Sequence, residues 1–257
     1  MKTYLLLLTA YLLMFSDSAA NTASNCIYLS EDSVTVVHDE FFDKTRNRQI
    51  PLAYYIDEQK KPVKFQKIAI ISHGYGQNQG GDYLQYSYLA NSLAQEGYFV
   101  ISIQHELPSD ELLSMEGKFL ETRMPNWKRG MENIHFVLST LKEQHTNLEF
   151  NDVTLIGHSN GGDMSVLFAH EYPLLIHKVI SLDNRRMPLP RVTSPKIYSI
   201  RSNDYPADDG VLPSEEEAAN LGMTIQFVDI NHSNMDDDAT AEERAMILSY
   251  IQQYLKD

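Results

Sequence analysis

From Lys67 to the C-terminus the chain keeps returning to one unit, a short apolar run followed by a stretch with helical spacing. "KIAIISHG", "YFVISIQH", "DVTLIGHS", "KVISLD", "PKIYSIRSND" and "MTIQFVDINH" are the runs. Near-continuous apolar runs of this length suit strands buried on both faces. Strands alternating with helices fold into a mostly parallel sheet covered on both sides. Upstream, "VTVVHD" and "IPLAYYI" flank the turn-like "DKTRNR" and read as an antiparallel pair. The expectation is an α/β fold over residues 33–257: a single doubly wound, mostly parallel sheet of about eight strands with helices on both faces.

The helical stretches punctuate this pattern. One is predicted around Leu84–Glu96, closed by Gly97, and one from Asn126, read as its cap, to about Gln144. Others follow at "NGGDMSVLFAHEY", "SEEEAANLG" and from about Thr240 to Lys256. The acidic "MDDDATAEE" before the last helix reads as a helix cap rather than a calcium site, since carboxylates suit that end of a helix dipole. No metal or cofactor is expected. At 257 residues with no fixed-period repeat and no Pro/Gly/Ser linker, nothing calls for a second domain.

The first residues follow another logic. Lys2 precedes an apolar run from Tyr4 to Phe15, then "SDSAAN" places Ser18 and Ala20 like the small residues before a signal-peptidase cut. The run is about 12 residues, short of the roughly 20 that span a bilayer. Residues 1–20 are expected to be a cleaved export signal and 21–32 a flexible lead, with no stable membrane insertion after cleavage. The mature protein would then be periplasmic or secreted. Cys26 is the single cysteine, so no intrachain disulfide can form. The net charge of −14 lacks a basic footprint for nucleic acid and disfavours polyanionic partners.

Chemistry in such sheets collects at the carboxyl ends of the strands. There "GHSNGG" leaves an apolar strand and opens a helix. Gly157 and Gly161 leave room for a sharp turn that lifts the Ser159 hydroxyl, with the Asn160 N–H at the helix head beside it. "SHGYG" after an earlier strand can supply a second N–H, Tyr75 being the candidate, so that two donors meet a developing oxyanion. His73 reads as structural. Serine needs a base, and of the nine histidines only His232 lies just past the last strand and before the last helix. His158 is expected to direct its side chain away from the site. The base needs an orienting carboxylate. Asp204, just beyond "PKIYSIRSN", is chosen. Asp208 and Asp209 in "ADDG" come next, and Asp183 after "VISL" follows them.

With these residues named, the chain resembles the α/β-hydrolase superfamily from about Val34 to the C-terminus. The elbow "GHSNGG", the loop "SHGYG", the acid after "SIRSND" and the histidine in "DINH" carry the likeness. "RNRQIPLAYYI", "IISHGYG" and "FVISIQHEL" are similar to the branch of platelet-activating-factor acetylhydrolase-like and dienelactone-hydrolase-like enzymes. "YPADDG" after Asp204 departs from relatives in which the acid stands a few residues before a proline, which keeps Asp208 and Asp209 open. The resemblance implies a serine hydrolase that cleaves carboxylic esters through an acyl-enzyme, on a small-molecule or lipid-like ester. A peptidase or amidase on the same residues, or a non-catalytic binding member, are the alternatives. The segment 106–125 is a possible cap, in which Leu112, Leu113, Met115, Phe119 and Leu120 either face an apolar group of the substrate or pack as loop. Trp127 reads equally as pocket wall or helix core.

Overall fold

The computed structural model describes residues 27–29, 33–60 and 63–257. The expected export signal and Cys26 lie outside them.

Nine strands form one sheet in the order β1-β2-β3-β5-β4-β6-β7-β8-β9. They are β1 (Ile27–Leu29), β2 (Val34–Asp43), β3 (Arg48–Asp57), β4 (Gln66–Ser72), β5 (Phe99–Ile103), β6 (Leu148–His158), β7 (Lys178–Leu182), β8 (Lys196–Arg201) and β9 (Thr224–Phe227). Eight are the predicted strands. The ninth, β1, pairs antiparallel with β2 inside the stretch expected to be flexible. β2 and β3 form the predicted hairpin, and β3 joins the parallel part antiparallel to β5. From β5 to β9 every neighbouring pair is parallel.

Alternation along the strands sorts the core into two layers. Ile68 and Ile70 of β4 join Trp127, Ile134 and Phe168 on one face. Ala69 and Ile71 join Leu89, Leu93, Ile247 and Ile251 on the other. The first layer is covered by α3 (Met124–Gln144) and α4 (Ser159–Glu171), the second by α1 (Ser87–Gln95) and α6 (Ala241–Lys256). Two shorter helices, α2 (Phe119–Thr122) and α5 (Glu215–Leu221), lie among the connections. No helix among the described residues is long and apolar enough to cross a membrane.

The start of α3 differs from expectation. Asn126 does not cap α3. The helix begins at Met124, with Pro125 in its first turn, where a missing N–H costs nothing. Asn126 is thereby inside the helix, and its side chain turns into the core. The acidic run also divides its work. Thr240 caps α6 in a reciprocal pair with Glu243. Asp237 instead reaches back to α1, accepting from the amides of Ser87 (2.9 Å) and Tyr88 (3.2 Å).

The sheet reverses its winding at β4, since the chain steps to β5 on one side and returns to β6 on the other. A crevice outside the carboxyl ends of the strands is expected at such a point. The loop after β4 and the turn after β6 meet there.

Candidate active site

β6 and β7 run parallel with His158 opposite Leu182. The next residues, Ser159 and Asp183, therefore leave two adjacent strands side by side. Both have a positive φ, 52° and 57°, which a non-glycine residue adopts only when its surroundings impose it. At the elbow the surroundings are backbone. A Cβ on Gly157 would lie 2.4 Å from the Gly161 carbonyl oxygen, and one on Gly161 would lie 2.3 Å from that of Ser72. Glycine at both positions lets α4 start against the end of β4, with the Ser159 hydroxyl free above it.

His232 opens a short 3₁₀ turn after β9. Its Nε2 lies 2.9 Å from Ser159 Oγ, and its Nδ1 lies 2.6 Å from Asp183 Oδ2. A carboxylate only accepts, so Nδ1 carries the proton and Nε2 is left to accept from the serine hydroxyl. Asp183 is fully buried. It also accepts from the Ser202 hydroxyl (2.7 Å) and amide (3.1 Å), and pairs with the buried Arg201 guanidinium at 2.8 Å. Burial pushes its carboxyl up, but the His232 hydrogen bond, the Arg201 charge and the Ser202 hydroxyl outweigh it and hold the group below the usual carboxylate value.

Ser159 and His232 thus meet as expected, and Asp204 does not sit where it was expected. Its Oδ1 accepts from the backbone N–H of His232 at 2.8 Å, and the residue is exposed. Asp208 is exposed and pairs with Arg186, and Asp209 is exposed in the same loop. The physical reason is register. The acid that reaches Nδ1 leaves the strand next to the elbow strand, whereas Asp204 lies past the end of the strand beyond. A signal was available: "VISLD" ends a largely apolar run on an aspartate, just as "TLIGHS" ends on the serine.

His158 also departs from expectation. Its ring is buried and turned toward the site, with Nε2 2.9 Å from the His232 carbonyl oxygen and Nδ1 2.7 Å from the Tyr86 hydroxyl. His73 is fully buried: Nε2 accepts from the His105 amide at 2.9 Å, so Nδ1 donates to the Gly74 carbonyl at 2.6 Å.

Asn160 is the second residue of α4. Its side chain is spoken for on every side. Oδ1 accepts from Trp127 Nε1 (2.8 Å), and Nδ2 donates to Glu106 Oε1 (2.7 Å) and Asn126 Oδ1 (2.9 Å). Trp127 is therefore core, with its indole N–H pinning the elbow. Tyr75 stands in the wall of the same cavity as Ser159, and its hydroxyl accepts from the Leu113 amide at 3.0 Å.

That cavity holds about 180 Å³ and is walled by His73, Gly74, Asp82, Tyr86, His158 and Asp236 among others. None of the five apolar residues expected to face a substrate from segment 106–125 lines it. Leu112 and Met115 are about 70% exposed, and Leu120 is exposed as well. Leu113 is buried, and the Phe119 ring lies under the guanidinium groups of both Arg123 (4.3 Å) and Arg186 (4.6 Å).

No protein-family profile and no curated protein sequence matches the chain. Solved structures do. The chain is similar to a thermostable esterase at 18% identity and a TM-score of 0.57, over 86% of this chain. It spans 62% of that esterase's length. It is similar to a dienelactone hydrolase-like promiscuous phosphotriesterase from metagenomic libraries at 13% identity and a TM-score of 0.61, covering 87% of this chain and 98% of the other. An S-formylglutathione hydrolase from Agrobacterium tumefaciens matches at 12% identity and a TM-score of 0.59, over 90% and 96%. Sheet order, elbow turn and these likenesses together establish that the chain has the α/β-hydrolase fold.

Proposed function

We propose that this protein is a serine hydrolase that cleaves small carboxylic esters, with Ser159 as nucleophile, His232 as base and Asp183 as the orienting acid. The observation that carries the reading is the unbroken line from Ser159 Oγ through both nitrogens of His232 to Asp183, at 2.9 and 2.6 Å. The solved structures of similar shape named above are esterases and hydrolases, which supports the same chemistry.

Ser159 Oγ attacks the ester carbonyl carbon while His232 Nε2 takes the hydroxyl proton. Asp183 holds the imidazole in the Nδ1–H form and stabilises the imidazolium. The N–H groups of Asn160 and Tyr75 are the proposed oxyanion donors, each able to contribute about 10²- to 10³-fold in rate. The imidazolium then protonates the leaving alkoxide. Water, deprotonated by the same Nε2, attacks the acyl-enzyme and frees the acid and Ser159.

The cavity beside Ser159 favours a short acyl group. Ligand pockets for drug-sized molecules run to roughly 300–1,000 Å³ with mostly apolar walls. This one is smaller, and Asp82, Asp236, His73 and Tyr86 make its walls polar. A lipid-like chain finds no aliphatic wall in it. Export to the periplasm or the medium is part of the proposal and rests on the leader-like sequence of residues 1–20.

The test is a chain-length series of p-nitrophenyl esters beside matching anilides, with Ser159→Ala as control. Turnover is expected to be highest at acetate to butyrate, low on anilides and absent in Ser159→Ala. Ester turnover that survives in Ser159→Ala overturns the assignment, and anilide turnover matching ester turnover moves the reading to an amidase.

A further inference from the structure

Two buried side chains that no step above employs stand against the base. The His158 and His232 rings lie 4.8 Å apart. His158 Nε2 faces the His232 carbonyl oxygen at 2.9 Å, and a carbonyl only accepts, so Nε2 carries the proton. Nδ1 must then accept, and its partner at 2.7 Å is the Tyr86 hydroxyl. The Tyr86 oxygen in turn accepts the Gly74 amide at 3.0 Å. Every proton in this chain has one direction. It starts at Gly74, next to the proposed oxyanion donor Tyr75, and ends on the backbone of the base.

We infer that His158 and Tyr86 are a positioning pair, which holds the Gly74–Tyr75 loop and the His232 turn in one shared alignment around Ser159. The inference rests on the reading of Ser159 and His232 as nucleophile and base. His232 follows β9 in a loop, where a backbone is free to drift unless tied at both polar groups. Its N–H is tied to Asp204 and its carbonyl to His158. With both fixed, the imidazole stays between Asp183 and Ser159. A displacement of about 1 Å at such a group can cost about 10²-fold in rate. Burial, aided by the neighbouring His232, pushes His158 down to about 3, which keeps its ring neutral and its donor pattern intact at ordinary pH.

The experiment compares His158→Leu, His158→Gln and Tyr86→Phe. Glutamine reaches far enough to donate to the His232 carbonyl, and leucine fills the space without a donor. The measurements are kcat and KM on p-nitrophenyl acetate, and the downfield proton resonance of His232 Nδ1–H, which needs no substrate. Leucine is expected to lower kcat about 10- to 100-fold with KM within about threefold, and to shift or broaden the His232 resonance. Glutamine is expected to recover kcat to within about fivefold of wild type, and Tyr86→Phe to lower it about three- to tenfold. Wild-type kcat in His158→Leu overturns the inference. So does equal impairment by leucine and glutamine, which marks simple packing, and so does a rise in KM at constant kcat. Should His158→Leu fail to fold, Tyr86→Phe decides: unchanged kcat and resonance overturn the pair. If the wild type hydrolyses no ester, the resonance still decides. A shift in the variants upholds the positioning and sinks only the esterase reading, and no shift sinks the pair.

Discussion

Two neighbouring strands each end near an aspartate that touches His232, and the two contacts are unlike. Asp183, directly after β7, is fully buried and meets the imidazole by its side chain. Asp204, three residues after β8, is exposed and meets only the backbone amide. Four donors converge on Asp183: the His232 ring, the Arg201 guanidinium, and the hydroxyl and amide of Ser202. A carboxylate in that setting keeps its charge and its direction at once. One at the surface is screened by water and lends mainly a tether. Proximity in sequence to a strand end is therefore a weak guide to the acid, and burial with paired donors is a strong one.

The sharpest way to break this contrast is kinetic. Asp183→Asn leaves the shape of the acid but offers an amide in place of a charge, which disfavours the Nδ1–H tautomer. It is expected to lower kcat about 10³- to 10⁴-fold. Asp204→Asn keeps an acceptor for the His232 amide and is expected to cost less than tenfold. A p-nitrophenyl acetate assay of the two variants settles the order, and the reverse ranking would return the acid to Asp204.

Stability gives the next largest effect. Asp183→Asn leaves the buried Arg201 without its countercharge, a loss of about 3 kcal/mol for a broken buried pair. Because the folded state holds the Asp183 carboxyl below its ordinary value, its contribution is full above the unfolded pKa of about 4 and is lost as pH falls through the folded value. The gap in melting temperature between wild type and Asp183→Asn should be constant from neutral pH to about pH 5 and narrow below about pH 4. A gap that widens on acidification would contradict the assignment.

Much of this site was legible in the sequence, and what was not has one cause. Ser159 is readable because a serine between glycines at a strand-to-helix junction has few structural reasons to be there. His232 is readable from its place between the last strand and the last helix. Asp183 was passed over because strand ends are local and register is not. Only the pairing of His158 with Leu182 brings Asp183 beside Ser159. The side chains of His158 and Asn126 were misjudged for the same reason, since each points toward partners at least 20 residues away: Tyr86 and His232 for one, Glu106 and Asn160 for the other. The sheet itself was foreseen because apolar periodicity is local, apart from β1, where three residues carry too little pattern to announce a strand.

Glu106 sharpens the contrast with the opposite sign. It is buried like Asp183, yet Oε1 takes Asn160 and Asn126 while Oε2 has no hydrogen-bond partner. Burial, partly offset by His73 and the amides, pushes its carboxyl up. A group raised in the folded state stabilises below its unfolded pKa and loses that contribution as pH rises through the folded value. Glu106→Gln removes the charge and keeps the acceptor for Asn160. Its melting temperature relative to wild type should climb as pH rises from about 4 to 8. A relative fall over that range would mean that Glu106 is held as an anion.

The smallest effect concerns the segment over residues 106–125. Asp110 fixes its start through two hydrogen bonds of 2.8 Å to Arg48, and Phe119 fixes its far end against Arg123 and Arg186. Asn78 Nδ2 also donates to the Asp110 and Glu111 carbonyls, and the Leu113 amide donates to the Tyr75 hydroxyl beside the serine. Tyr75→Phe removes that acceptor and keeps the backbone N–H proposed to meet the oxyanion. A neutral hydrogen bond of this kind is worth about 1 kcal/mol net. Hydrogen exchange at Leu113 should quicken by up to about tenfold, while kcat on a short ester changes by less than about threefold. A large fall in kcat would mean that the segment, through the Tyr75 ring, aligns the oxyanion loop. Faster exchange with unchanged turnover would leave that alignment to Gly74, Tyr86 and His158.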